Sequence, residues 1–205
     1  MYRFRQLKPA FFRRDVQELA KDLLGRVLLH ETTAGTLGAI IVETEAYDET
    51  DPASHSYCGQ TTRNQMMFAT GGTAYIYRSY GMHWCLNVAA GAAGFGAAVL
   101  IRALKPVEGL AIIRRNRQKN SAKPLSDLDL CRGPGRLCQA LSLGAEQNGV
   151  NMLEGSLRIV TPSGFRKPKT LATPRIGISK GVDTPWRFCI LEEPYVSGPK
   201  KLRER

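Results

Sequence analysis

Apolar and polar positions alternate along this chain at two periods, and those periods assign most of its elements. After Arg13-Arg14, Asp15 stands before a run in which Leu19, Leu23 and Leu24 make an apolar stripe at helical spacing; Asp15 can cap it from Val16 onward and Gly25 stops it. Residues 26–30 and 38–47 follow as strands, joined across Thr32-Thr33-Ala34-Gly35, a polar connection suited to a hairpin. Alternation in the second strand puts Ile40, Val42, Thr44 and Ala46 on one face and Glu43, Glu45 and Tyr47 on the other. Two carboxylates thus stand beside a phenol on a rigid element. Residues 48–64 are polar and hold Pro52 and Gly59, which predicts a long loop of the kind that carries function.

Residues 75–87 read as two aromatic strands around a turn near Ser79 to Gly81, with Tyr80 at the tip. The run 96–104 is a buried strand by its apolarity, interrupted by Arg102, a charge that requires a partner and most simply a facing carboxylate. Pro106 to Leu110 then opens a helix that ends in the basic run 114–119, which either touches phosphates or is solvated. Residues 125–130 predict a short helix and 133–141 another, whose leading glycines leave backbone N–H groups free for an anion. No Gly-Lys-Ser/Thr follows, so this is not a Walker motif. Residues 157–161, 175–179 and 186–191 supply further strands, with a Gly, Pro and Lys rich stretch at 162–174, and 200–205 reads as a frayed basic tail. No repeat or linker interrupts the chain, so 1–205 is read as a single domain.

Composition narrows the partners. The formal charge of +11 and pI near 9.7 favour a polyanion, nucleic acid ahead of an anionic membrane surface. No apolar run approaches the roughly 18 residues of a spanning helix, and the first five residues do not lead into a signal-peptide core, which predicts an intracellular protein. Five cysteines without a CxxC pair predict reduced thiols and no structural metal. With three histidines and no HExxH motif, a catalytic metal would have to be held mostly by carboxylates, and no cofactor is expected.

One set of residues goes further: Val42-Glu43-Thr44-Glu45-Ala46-Tyr47, His55-Ser56, Arg63-Asn64, Met67-Phe68, Tyr75-Ile76-Tyr77, Tyr80-Gly81-Met82, Asn87, Leu100-Ile101-Arg102-Ala103-Leu104 and Gly133-Pro134-Gly135-Arg136-Leu137-Cys138-Gln139-Ala140-Leu141. In order and spacing, from the first helix to the Trp186 strand, they resemble the alkyladenine DNA glycosylase (3-methyladenine DNA glycosylase, MPG) family. The resemblance implies an α+β fold in a single compact domain, with a curved antiparallel sheet flanked by helices and a protruding β-hairpin that enters the DNA minor groove. It implies a monofunctional glycosylase of base excision repair, acting as a monomer on double-stranded DNA in the cytoplasm or nucleoid, or in the nucleus of a eukaryote. Such an enzyme flips out damaged purines of the 3-methyladenine, 7-methylguanine, hypoxanthine and ethenoadenine class and hydrolyses the N-glycosidic bond. No lysine matches a Schiff-base position, so lyase chemistry is not expected.

Residue by residue, Glu45 matches the general base and Arg102 the arginine that pairs with it and holds the attacking water. Tyr47, His55 and Tyr77 match the aromatic slot for the flipped base, and an electron-rich cage favours the cationic purines that alkylation produces. Asn87 matches the residue near the purine 2 position, and Tyr80 the ring that plugs the vacated stack, with Met82, Arg63 and Arg136 as further DNA contacts. Glu43 is expected to be structural or a supporting partner, although its spacing alone makes it the equal of Glu45. The segment from His55 to Arg63 is one residue shorter than in mammalian members, with Cys58 in it and Thr62 where proline is usual, and the tip residues Arg78-Ser79 are more polar. Two other readings stay open: a basic module that stacks nucleic acid on the hairpin without chemistry, and a metal-dependent nuclease built on the carboxylates.

Overall fold

A computed structural model describes residues 4–119 and 121–198. The short strand β1 (Phe4–Gln6) leads to a single turn of helix, α1 (Pro9–Phe12), neither of which the sequence pattern predicts. α2 (Val16–Leu23) starts where its cap indicates: Asp15 Oδ1 accepts from the N–H groups of Gln17 (2.8 Å) and Glu18 (3.1 Å). Its buried stripe is Val16, Leu19, Ala20 and Leu23, and Gly25 at φ +81° turns the chain into β2 (Val27–Thr32).

β3 (Gly35–Tyr47) is the strand on which the site is built, and it does not alternate as its sequence suggests. Its register against a later strand slips between Ile41 and Glu43 and again before Thr44. This irregularity moves Thr44 and Ala46 onto the side of Leu37, Ala39 and Ile41, the side facing the main core, where Thr44 Oγ1 donates to Ala20 O of α2 (2.9 Å). Ile40 and Val42 belong to a separate apolar cluster with Cys189 and Val196. The four residues expected on one face are therefore divided two and two, and the carboxylates lie outside the apolar core.

Residues 48–64 form the expected loop, ending in a 3-10 turn at Gln65–Phe68. Buried Asn64 organises it, donating to the carbonyls of His55 (2.7 Å) and Gly59 (3.0 Å) while its Oδ1 accepts from Thr61 N (2.6 Å). β4 (Ala74–Ser79) and β5 (His83–Ala89) pair as an antiparallel hairpin with Tyr75 opposite Asn87 and Ser79 opposite His83. Met82 N–H donates to Ser79 O (3.0 Å) to close the turn, which Tyr80 at φ +49° and Gly81 at φ +68° make possible.

β6 (Ala98–Glu108) runs on past Pro106, so the next helix, α3 (Leu110–Gln118), begins after Gly109 instead of at the proline. Gly109 sits at φ +72° with Thr36 O 2.5 Å from where a Cβ would be, a position only glycine fits. In place of the short helix expected at 125–130 there is one 3-10 turn, Asp127–Asp129. α4 (Pro134–Ala140) has proline in its first turn as read, and Gly135 lets it close on the hairpin base, where an added Cβ would meet His83 at 3.0 Å.

β7 (Leu157–Pro162), β8 (Thr170–Thr173) and β9 (Arg187–Ile190) complete the sheet. Residues 175–179 are not a strand; the strand in this region is β8, just upstream, within the Gly, Pro and Lys rich stretch. The described strands form one antiparallel sheet in the order β1-β7-β2-β3-β6-β5-β4, with β9 beside β3 and β8 beside β9. Few helices flank it, and the architecture is α+β. On the edge of β3 opposite β6, β2 covers residues 35–40 and β9 covers 43–45. The carboxylate stretch is therefore central in the sheet. The basic stretch 200–205 lies outside the described residues.

Candidate active site

One cavity of about 620 Å³ collects most of the residues that the sequence singled out. Its lining includes Glu45 and Tyr47 from β3, His55 and Arg63 from the long loop, Tyr77, Asn87 and Tyr80 from the hairpin, and Arg102 from β6. Ile176 to Lys180 contribute a further part of the wall. Met82 and Arg136 are not part of it. They line a second groove of about 780 Å³ together with Arg117, Arg132 and His83, and Tyr80 at the tip borders both spaces. Tyr80 is 85% exposed. Met82 is exposed too, and Arg136 pairs with Asp129 at 3.3 Å.

Glu45 is completely buried and each of its oxygens has a donor. Oε2 accepts from the Tyr47 hydroxyl (2.7 Å) and from Arg102 Nη1 (3.2 Å), and Oε1 accepts from Ile176 N–H (2.9 Å). Arg102 Nη1 also donates to Ile176 O (3.3 Å). Burial works to lower the Arg102 pKa, but attraction to Glu45 and then Glu43 outweighs it and raises the pKa, so the guanidinium stays charged. Burial, the Glu45 charge and the hydrogen bond to Glu45 push the Tyr47 phenol well up, so Tyr47 remains a neutral donor.

The aromatic wall is a connected set. Tyr75 and Tyr77 stack with centroids 5.4 Å apart, and His55 meets Tyr77 edge to face at 4.5 Å. His55 Nδ1 lies 2.9 Å from the Tyr75 hydroxyl. Burial, then repulsion from Arg63, lowers the His55 pKa below 6.5, so a neutral ring faces the cavity near pH 7. Burial raises Tyr75 to about 12 and Tyr77 further. Asn87 Nδ2 donates to Tyr75 O (3.0 Å), which fixes the amide against the hairpin where it borders the cavity. Arg63 donates to Arg78 O (3.2 Å), joining the loop to the hairpin.

Sequence reading did not anticipate four contributors. Tyr75 supports His55; Ile176 presents both backbone groups to Glu45 and Arg102; Lys180 stands on the cavity lining. The fourth is Arg187, fully buried beside Glu43. It carried the same signal as Arg102, a guanidinium within an apolar strand, and the partner is again a β3 glutamate. Among the described residues no group of three or more His, Cys, Asp or Glu side chains is arranged to hold a metal ion, and no helix is long and apolar enough to cross a membrane.

A model of the methylpurine-DNA glycosylase (MPG) family matches residues 10–194. A protein of Rhodopseudomonas palustris strain BisB18 is 46% identical over 194 residues, covering 95% of this chain and 92% of its own. One from Granulibacter bethesdensis is 45% identical over 195 residues, with 94% and 88% covered, and one from Methanoculleus marisnigri is 44% identical over 194, with 93% and 98% covered. All three bear the name "Putative 3-methyladenine DNA glycosylase".

Proposed function

Since this chain belongs to the methylpurine-DNA glycosylase family, we propose that it is a monofunctional glycosylase that draws an alkylated or deaminated purine out of duplex DNA and hydrolyses its N-glycosidic bond. The observation that carries this reading is the setting of Glu45: a buried carboxylate on an aromatic-walled cavity, held by Tyr47, Arg102 and Ile176. In that setting Glu45 takes a proton from a water molecule as its oxygen bonds to C1′ of the sugar, and the purine leaves with the electrons of the broken C–N bond. The same negative charge faces the oxocarbenium character that develops on the sugar. A purine alkylated at N3 or N7 is cationic and leaves neutral, while the neutral rings of Tyr47, His55 and Tyr77 favour it by stacking and by their π density.

Incubating the protein with a duplex carrying one alkylated or etheno purine, then cleaving at abasic sites with alkali, tests the activity. Product that persists in EDTA supports it. Binding without product returns the non-catalytic stacking module, and EDTA-sensitive strand cleavage returns the nuclease. Borohydride added during turnover tests the monofunctional assignment, because a trapped covalent adduct would assign a Schiff base to a lysine, with Lys180 on the cavity lining the first to replace.

Two expected outcomes concern selectivity. Tyr80→Ser weakens capture of the flipped state by roughly 5- to 150-fold, the equivalent of ~1–3 kcal/mol of stacking. It leaves affinity for undamaged duplex nearly unchanged, because only the flipped state has a gap to fill. Titrations with lesion and plain duplexes compare the two, and equal losses reduce Tyr80 to a general contact. Asn87→Ser raises release of guanine, mispaired guanine most, since guanine, unlike adenine, hypoxanthine and ethenoadenine, carries an amino group at position 2 and a mispaired base is cheaper to flip. Ethenoadenine excision changes little. Guanine release that stays at background, in a variant still active on ethenoadenine, refutes the filter.

A further inference from the structure

Beside Glu45 the sheet buries a second carboxylate that is saturated with donors. Glu43 and Arg187 are both fully removed from solvent. Arg187 Nε donates to Glu43 Oε1 (2.6 Å), Nη1 to Thr173 Oγ1 (2.8 Å) and Nη2 to Ser197 O (2.9 Å). Ser197 completes the arrangement, giving its N–H to Glu43 Oε2 (2.7 Å) and its hydroxyl to Oε1 (3.0 Å). Arg102 Nε lies 3.3 Å from the same Oε1 but is out of line for a hydrogen bond, and it finds no other acceptor among the described residues. Arg102 thus stands between two carboxylates, bonded to Glu45 and only attracted by Glu43.

We propose that Glu43, Arg187 and Ser197 form a clamp that decides which carboxylate Arg102 serves, making Arg187 and Ser197 positioning residues for the reaction at Glu45. A buried carboxylate that loses its counter-ion takes the nearest cation. For Glu43 without Arg187 that cation is Arg102, whose Nε already lies 3.3 Å from Oε1. Nη1 would then leave Glu45 Oε2 and Ile176 O, and the arrangement around the water would be lost. Ser197 lies beyond the stretch 10–194 that matches the family model, so the segment after β9 becomes part of the catalytic support. The inference rests on the reading of Glu45 as the base.

The test is the pH dependence of single-turnover cleavage. Tyr47 on β3, Tyr77 on β4, Cys85 on β5 and Cys189 on β9 face the pair, and burial pushes all four upward, so they stay neutral across the acid limb. Arg175 faces it as a permanent cation. His55 also titrates on the acid side, so its imidazole resonances are followed by NMR as an independent marker. Arg187→Met should move the acid limb to higher pH by about one unit, because the base loses its cation, with a rate loss of tenfold or more at pH 7. Glu43→Gln should move it to lower pH, because a like charge has gone, and Ser197→Ala should follow Arg187→Met with a smaller shift. The double variant Glu43→Gln/Arg187→Met, again neutral overall, should return towards wild type.

An acid limb that stays in place in Glu43→Gln and Ser197→Ala, with rates falling only as folded protein is lost, overturns the clamp. Should Arg187→Met fail to fold, those two variants and the double variant still decide. Glu45→Gln runs alongside: if it is active the base assignment itself is wrong, and if it is dead while the limb is immobile only the clamp is wrong.

Discussion

Glu45→Gln binds a lesion-containing duplex as the wild type does and loses roughly 100- to 10,000-fold in single-turnover cleavage, the range expected for a positioned acid or base. The amide keeps the size of the side chain, and its carbonyl oxygen can accept from Tyr47 and Arg102 as Oε2 does now, while only the bond from Ile176 N–H to Oε1 is lost. What it cannot do is take a proton from water or place a negative charge beside the sugar. Binding and chemistry therefore separate in this one variant. Glu43→Gln is milder, since Glu43 meets Arg187 and Ser197 and does not line the cavity. Quench-flow on an ethenoadenine duplex ranks the two variants, and the reverse ranking transfers the role of base to Glu43.

The different surroundings of the two glutamates were half legible in the sequence, for a definite reason. Strict alternation places Glu43 and Glu45 on one face and makes them equal candidates, and both do leave the apolar core. What separates them is not the neighbouring strand, since β6 and β9 flank both, but the groups that each side chain meets. Glu43 lies opposite Cys189 of β9 and is drawn into the buried cluster with Arg187, while Glu45 reaches the cavity. The irregularity near Val42 is likewise invisible in a run whose every residue suits a strand, and it reassigns Thr44 and Ala46 to the core.

The hairpin was readable because its signals are local: an aromatic alternation, a glycine after the tip, and partners a few residues apart. Segment 175–179 was misread because Ile176 and Ile178 alternate with small residues as a strand would. Its backbone groups go to the site instead of a ladder: Ile176 N–H to Glu45 and Ile176 O to Arg102. Gly177 at φ +80° and Gly181 at φ +56° bend it further from strand geometry. Only the long-range partners, more than seventy residues away, distinguish the two outcomes.

Arg175→Met should therefore be costly to stability and activity together. The Arg175 side chain is fully buried, and its guanidinium holds Asp51 of the long loop through both terminal nitrogens, one bond being Nη2 to Oδ1 at 3.0 Å. It also donates to Ala46 O (3.1 Å) on β3 and lies over the Tyr47 ring at 4.6 Å. One side chain thereby ties together the loop that carries His55, the strand that carries Glu45 and the segment that presents Ile176. Removing it strands the Asp51 carboxylate in a dry site, for which a loss of ~3–5 kcal/mol is expected. For a chain of this size that is a fall in Tm of roughly 6–20 °C. The double variant Asp51→Leu/Arg175→Met, which buries no unpaired charge, recovers much of the stability. It does not recover the rate, because the segment that presents Ile176 to Glu45 has lost its ties to the loop and to β3. Calorimetry and single-turnover cleavage on the three proteins separate the effects. A single variant within ~1 kcal/mol of wild type, the level of an exposed ion pair, would show that Asp51 relaxes to solvent and that the segment is held by other contacts.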